Sequence, residues 1–90
     1  MAETRPVMIK RMRMRSMRRG IKEMDLILSA FASQHLDRFD AGQLATYDAL
    51  LSENDHDIYG WITGQIQTPE HYGDMLGAIK VTAQGVVRAQ

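Results

Sequence analysis

Arg11-Met12-Arg13-Met14-Arg15 alternates basic and apolar residues with a period of two, the pattern of an edge strand, and the fold class turns on how it is read. Composition decides for a helix. Arginine, methionine and lysine are good helix formers, no other segment offers itself as a partner strand, and Gly20 stands where such a helix would need a left-handed terminating residue. The same stretch concentrates the positive charge. Eight of the eleven basic residues (Arg5, Lys10, Arg11, Arg13, Arg15, Arg18, Arg19 and Lys22) lie in the first 22 positions, opposed there only by Glu3, a local charge of +7. The remainder carries three basic residues against ten acids, or −7, so a formal net charge of zero conceals a basic end and an acidic body. Such asymmetry favours docking on an oppositely charged partner surface.

Working outward, Pro6 and Pro69 fall where they would open helices, and apolar residues recur at spacings of three and four between them. The reading is all-α, a small five-helix bundle in a single domain over residues 1–90, with 1–6 and about 82–90 frayed. Met24, Ile27, Leu28 and Phe31 form the stripe of the second helix, with Gly20 as N-cap and Glu23 three residues later. A third helix follows Asp40 with Leu44, Tyr47, Leu50 and Leu51 inward, and a fourth follows Asp55 with Ile58, Trp61, Ile62 and Ile66. Thr68-Pro69-Glu70 opens the last helix, whose buried face holds Tyr72, Met75, Leu76 and Ile79. Gly73, Gly77 and Gly85 each cost about 0.5 to 1 kcal/mol relative to alanine in a helix, so this element should be the least stable and loosen beyond about Val81. Leu28, Phe31, Tyr47, Leu51, Trp61, Ile62 and Leu76 are the expected core.

Ninety residues leave little room for a deep active-site cavity. With no cysteine there is no disulfide, thiolate metal site or thiol nucleophile, which fits a reducing compartment. No apolar run approaches the roughly 18 to 20 residues that cross a bilayer. The arginine-rich start has the composition of a transit peptide but continues straight into the next helix with no cleavable-looking spacer. His35, His56 and His71 lie on separate predicted elements, so no metal site is expected. Asn54, Asp55 and Asp57 lack the glycine and terminal glutamate of a calcium loop. No phosphate-binding glycine loop or nucleophile elbow occurs, and no catalytic residue or enzyme activity is expected.

The basic segment could neutralise nucleic-acid phosphates, yet methionines rather than stacking aromatics lie between its arginines, and the other 68 residues are acidic. Methionine is also an adaptable contact residue at protein surfaces. Around Gly20 structural and functional readings compete. Glu23 could reach back to cap the Gly20 amide, Arg19 could complement the carboxyl end of the first helix, and Gly20 could serve a positive φ angle.

The run Arg18-Arg19-Gly20-Ile21-Lys22-Glu23-Met24-Asp25-Leu26-Ile27-Leu28 resembles the RGxxE motif of the FAD assembly factor SdhE family, also called succinate dehydrogenase assembly factors. The likeness continues through Phe31-Ala32, His35-Leu36, Gln43-Leu44, Tyr47-Asp48, Leu50-Leu51, Asp55, Asp57-Ile58-Tyr59 and Trp61, and covers roughly residues 7 to 80. It implies a five-helix chaperone that binds the flavoprotein subunit of succinate dehydrogenase, with the fumarate reductase flavoprotein as a second candidate client. The chaperone promotes covalent attachment of FAD to a histidine of that partner, holding no cofactor tightly and supplying no catalytic group. Arg19, Gly20 and Glu23 match the motif and are the implied partner contacts; Arg18 and Asp57 match weaker parts of the pattern, and Trp61 is assigned to the core. The resemblance further implies a free monomer in a bacterial cytoplasm, or alternatively in the mitochondrial matrix. The rival from another class is a nucleic-acid-binding or antitoxin-like module using the basic N-terminal helix.

Overall fold

In a computed structural model, which describes the backbone of residues 3–89 and the side chains of residues 3–86, Arg11 to Arg15 are helical. The first helix, α1 (Arg5–Arg15), begins after Thr4 with Pro6 in its first turn, where a missing amide hydrogen costs nothing. Helical geometry turns the period-two pattern into three separate surfaces. Arg11 and Arg15, four residues apart, share one flank, Arg13 lies on the other, and Met12 is fully buried between them.

α2 (Lys22–His35) continues into a 310 turn at Leu36–Arg38, followed by α3 (Ala41–Leu51), α4 (Asp55–Thr63), a second 310 turn at Glu70–Tyr72 and α5 (Gly73–Ala89). No strand occurs among the described residues. α2 is the central element, with α5 and α1 packed along it and α3 bridging α1 and α5. Met24, Leu28, Phe31, Tyr47, Leu50, Ile58 and Ile79 have no exposed surface. Of the expected core, Leu28, Phe31, Tyr47, Leu51, Trp61 and Leu76 are buried, whereas Ile62 is half-buried at the edge.

Several local expectations are corrected by capping chemistry. Asp40 does open α3, in a reciprocal capping box with Gln43. α4, by contrast, is capped by Asn54, whose Oδ1 accepts the His56 amide at 2.8 Å, so that Asp55 becomes the first helical residue and its carboxylate is released for other partners. α2 starts after Ile21 rather than Gly20 and has no side-chain cap. The left-handed residue between α1 and α2 is Arg18 (φ 56°), not Gly20. Gly64, at φ 83°, ends α4, which leaves Ile66 beyond the helix and 44% exposed. Thr68-Pro69-Glu70 leads into the 310 turn and not directly into α5. α5 remains helical past Val81 and buries Thr82 and Ala83, with Leu76 and Ile79 buried and Gly73 and Gly77 exposed. Met1, Ala2 and Gln90, within the ends expected to fray, lie outside the described residues.

The basic and acidic parts of the chain meet across the α1 contacts. Asp48 of α3 accepts from Arg11 Nη1 at 2.7 Å, Arg11 Nη2 at 2.8 Å and Arg15 Nη1 at 3.0 Å. Arg13 pairs with Asp37 at 2.7 Å. The hydrogen bonds from Arg11 hold the Asp48 carboxyl below its ordinary range, against the opposing pull of partial burial. A depressed carboxylate contributes stability that is present above its unfolded pKa, about 3.9, and is lost as pH falls through the lower folded value. Acid titration of the melting temperature should therefore show a decline below about pH 4 that is shallower in Asp48→Asn. Superimposable acid profiles would remove Asp48 from this role.

Candidate partner-binding surface

The segment from Ser16 to Ile21 joins α1 to α2, and its path is determined by contacts with those two helices and with α3 and α4. Ser16, fully buried, donates through Oγ to the Met12 carbonyl or to Tyr47, whose hydroxyl lies 2.7 Å away. Burial of Tyr47 pushes its phenol up to about 12, so the hydroxyl stays protonated at neutral pH. At Arg18 the backbone amide donates to Asp25 Oδ1 on α2 at 2.9 Å, which fixes the left-handed turn.

Arg19 then turns inward. Its Nε donates to Asp55 Oδ1 at 2.8 Å, and its Nη2 lies 2.6 Å from the same oxygen. Nη1 donates to the Arg15 carbonyl at 2.8 Å and Nη2 to the Leu51 carbonyl at 3.2 Å. One guanidinium thus serves the carboxyl ends of both α1 and α3, where helix dipoles favour a cation, and meets an acid at the amino end of α4, where the dipole favours an anion. With side-chain exposures of 11% and 17%, Arg19 and Asp55 form the most enclosed ion pair among the described residues. The expected role of Arg19 at the end of the first helix is present, extended to a second helix.

Gly20 donates its amide to Asp55 Oδ2 at 2.7 Å. A β-carbon there would stand 3.2 Å from that oxygen, closer than an ordinary contact, and the oxygen has little freedom to retreat because its carboxylate is held by Arg19. Close approach to Asp55, not a left-handed backbone, is what favours glycine. In the sequence Asp55 stood ahead of the fourth helix and within the family pattern; its function as the shared acceptor of Arg19 and Gly20 required the fold.

Glu23 behaves differently. It is the second residue of α2, exposed, and makes no cap hydrogen bond to the Gly20 amide. The glutamate-cap reading is therefore replaced: the amide it was to satisfy is satisfied by Asp55. Arg18 and Lys22 are exposed beside it, and Gly20 exposes its unsubstituted backbone between them. Asp57 is exposed in the first turn of α4, the helix to which Asp55 ties the loop. The arrangement offers a polar surface with cations and a carboxylate around a bare peptide. Among the described residues no cluster of histidine and acid side chains is placed to hold a metal ion, and no helix is long and apolar enough to cross a membrane.

A family model described as flavinator of succinate dehydrogenase matches residues 10–83. The chain is 46% identical over 70 residues to succinate dehydrogenase assembly factor 2, mitochondrial, of Schizosaccharomyces japonicus, covering 78% of this chain and 49% of that protein. The corresponding protein of Schizosaccharomyces pombe is 43% identical over 70 residues, covering 78% and 50%. Assembly factor 2-B of Drosophila mojavensis is 48% identical over 65 residues, covering 70% and 41%. The chain thus spans about half the length of the curated relatives it matches. Their names place those relatives in mitochondria, and the expectation of a bacterial cytoplasm finds no support among them. Fold, motif and likeness converge, and the chain belongs to the succinate dehydrogenase assembly factor family, the flavinators of succinate dehydrogenase.

Proposed function

We propose that this protein binds the flavoprotein subunit of succinate dehydrogenase and promotes covalent attachment of FAD to it, supplying no catalytic group of its own. The observation that carries the reading is the division of labour within the motif. Arg19 and Gly20 are engaged in shaping the loop, while Glu23 is left exposed with no hydrogen bond or ion pair among the described residues. An exposed carboxylate beside a braced loop suits docking, with complementary charge setting orientation. Arg18, Gly20 and Asp57 complete the proposed contact surface. Holding the flavoprotein in a conformation where its own groups and flavin are well oriented lowers the barrier without a reacting group from the chaperone. FAD remains the partner's cofactor, and the chaperone is a monomer when not bound to its client. The nucleic-acid reading has no comparable support, since Arg11, Arg13, Arg15 and Arg19 are already matched to carboxylates of the same chain.

Glu23→Gln tests this reading. Glutamine keeps the side-chain length and removes the charge; the structural loss is confined to the dipole interaction in the first turn of α2, about 0.3 to 1 kcal/mol. Charge-assisted hydrogen bonds are about twice as strong as neutral ones, so binding to the flavoprotein should weaken about tenfold while the melting temperature moves by a few degrees at most. The measurement is covalent FAD per flavoprotein at limiting chaperone, read by flavin fluorescence on denaturing gels. Equal flavinylation by wild type and Glu23→Gln would remove the carboxylate from the interface.

A further inference from the structure

Beyond the motif loop, the outer face of α1 forms an apolar groove for which the fold itself has no use. Pro6, Ile9, Lys10, Arg13, Met14 and Met17 follow the spacing of one helical face and, together with Arg5 and Asp37, line an open groove of about 550 Å3. Met14 and Met17 are 64% and 46% exposed, although neighbouring Met12 is fully buried. Three cations surround the groove against one carboxylate. That carboxylate, Asp37, is already paired with Arg13, and Lys10 has no ion pair among the described residues. Arg13 and Met17 also line a second groove of about 380 Å3 with Ser29, Ala32 and Ser33 of α2. Met17 is followed directly by Arg18, so the apolar surface leads into the motif loop.

We propose that this groove is a second docking surface, occupied by an acidic amphipathic segment of the client flavoprotein whose apolar side chains lie on Met14 and Met17 and whose carboxylates meet Lys10 and Arg5. The proposal rests on the flavoprotein-binding reading and extends its contact surface along α1. Flexible, polarizable methionines accommodate an apolar segment of irregular shape, and a contiguous exposed apolar surface with a polar rim is the mark of an interaction site. The positive rim selects an acidic occupant. Continuity with the motif loop favours the same partner over a second copy of this chain, and the absence of aromatic side chains from the groove disfavours stacked nucleic-acid bases.

The test is binding of the full chain to purified flavoprotein at two salt concentrations, with thermal melts of every variant. Met14→Glu, at a largely exposed position, should fold normally and weaken binding about tenfold. Lys10→Glu should slow association severalfold and flatten its salt dependence. Val81→Glu, an equally acidic change at an exposed position on α5, should leave binding unchanged. Wild-type affinity in both α1 variants would overturn the groove while leaving the flavoprotein reading intact; failure of the wild-type chain to bind flavoprotein would overturn both. Equal weakening by Val81→Glu would reduce the effect to general charge. If sedimentation showed a wild-type dimer that Met14→Glu dissociates, the occupant would be a second copy and the proposal would fail.

Discussion

Asp55→Ala is expected to destabilise the domain by about 3 kcal/mol. The stability loss arises because Arg19 would stay enclosed among the Arg15 and Leu51 carbonyls with its counter-charge removed. Removing one member of an enclosed pair costs more than the pair contributes, since the remaining charge is left uncompensated. Gly20 would lose its amide acceptor in the same step. For a chain of this length 1 kcal/mol corresponds to about 4 to 8 °C in Tm, so the melt should fall by more than about 10 °C. Asp55→Asn separates charge from shape, because an amide oxygen can still accept from one donor but cannot neutralise Arg19. It should lie between wild type and Asp55→Ala in stability. Melts of both variants within a few degrees of wild type would show that the loop is held by its other contacts.

Trp61→Ala is the second large effect, at about 3 to 5 kcal/mol for deletion of a buried aromatic. Trp61 is 6% exposed and its ring lies 5.7 Å from that of Tyr72, at the join between α4 and the turn that starts α5. Tyr72 in turn donates its hydroxyl to Glu53 Oε2 at 2.7 Å, ahead of α4. Loss of the indole would leave a cavity under that join and loosen the aromatic that carries the hydrogen bond. A domain of this size has a total stability of about 5 to 13 kcal/mol, so a substantial unfolded population is expected at the lower end of that range. Urea unfolding followed by circular dichroism gives the comparison. An unchanged midpoint would mean that the neighbouring side chains fill the space, and Trp61→Phe, smaller but still aromatic, should recover part of the loss.

The all-helical class was legible because each helix carries its own evidence. Apolar spacing marked α2 to α5, and Asp40 marked the start of α3, where the structure adds a capping box with Gln43 that needs no tertiary contact. Even the ambiguous Arg-Met run was decided by local helix propensity. The family motif was equally plain as a string of residues. Ile62 and Ile66 were placed too deep for a related reason: periodicity identifies a helical face but cannot locate the edge of the core or the glycine, Gly64, at which that face ends.

What the sequence determined alone was thus the helical content, most of the core and the family likeness, all of which depend on patterns within a few neighbouring positions. Tertiary structure decided what each charged residue does. Arg19 and Gly20 meet Asp55 across more than thirty residues of chain, and Arg11 and Arg15 meet Asp48 across a similar distance. Only the packing of α1 and its following loop against α3 and α4 brings those carboxylates within hydrogen-bond reach. The same packing converts a segment charged +7 from a free basic arm into a braced helix, and turns a five-residue motif into an inward clamp at Arg19 and Gly20 with an outward carboxylate at Glu23. The physical reason is range: helix propensity and capping act over a few residues, whereas the partner of a charge is set by whichever element the whole fold places opposite it.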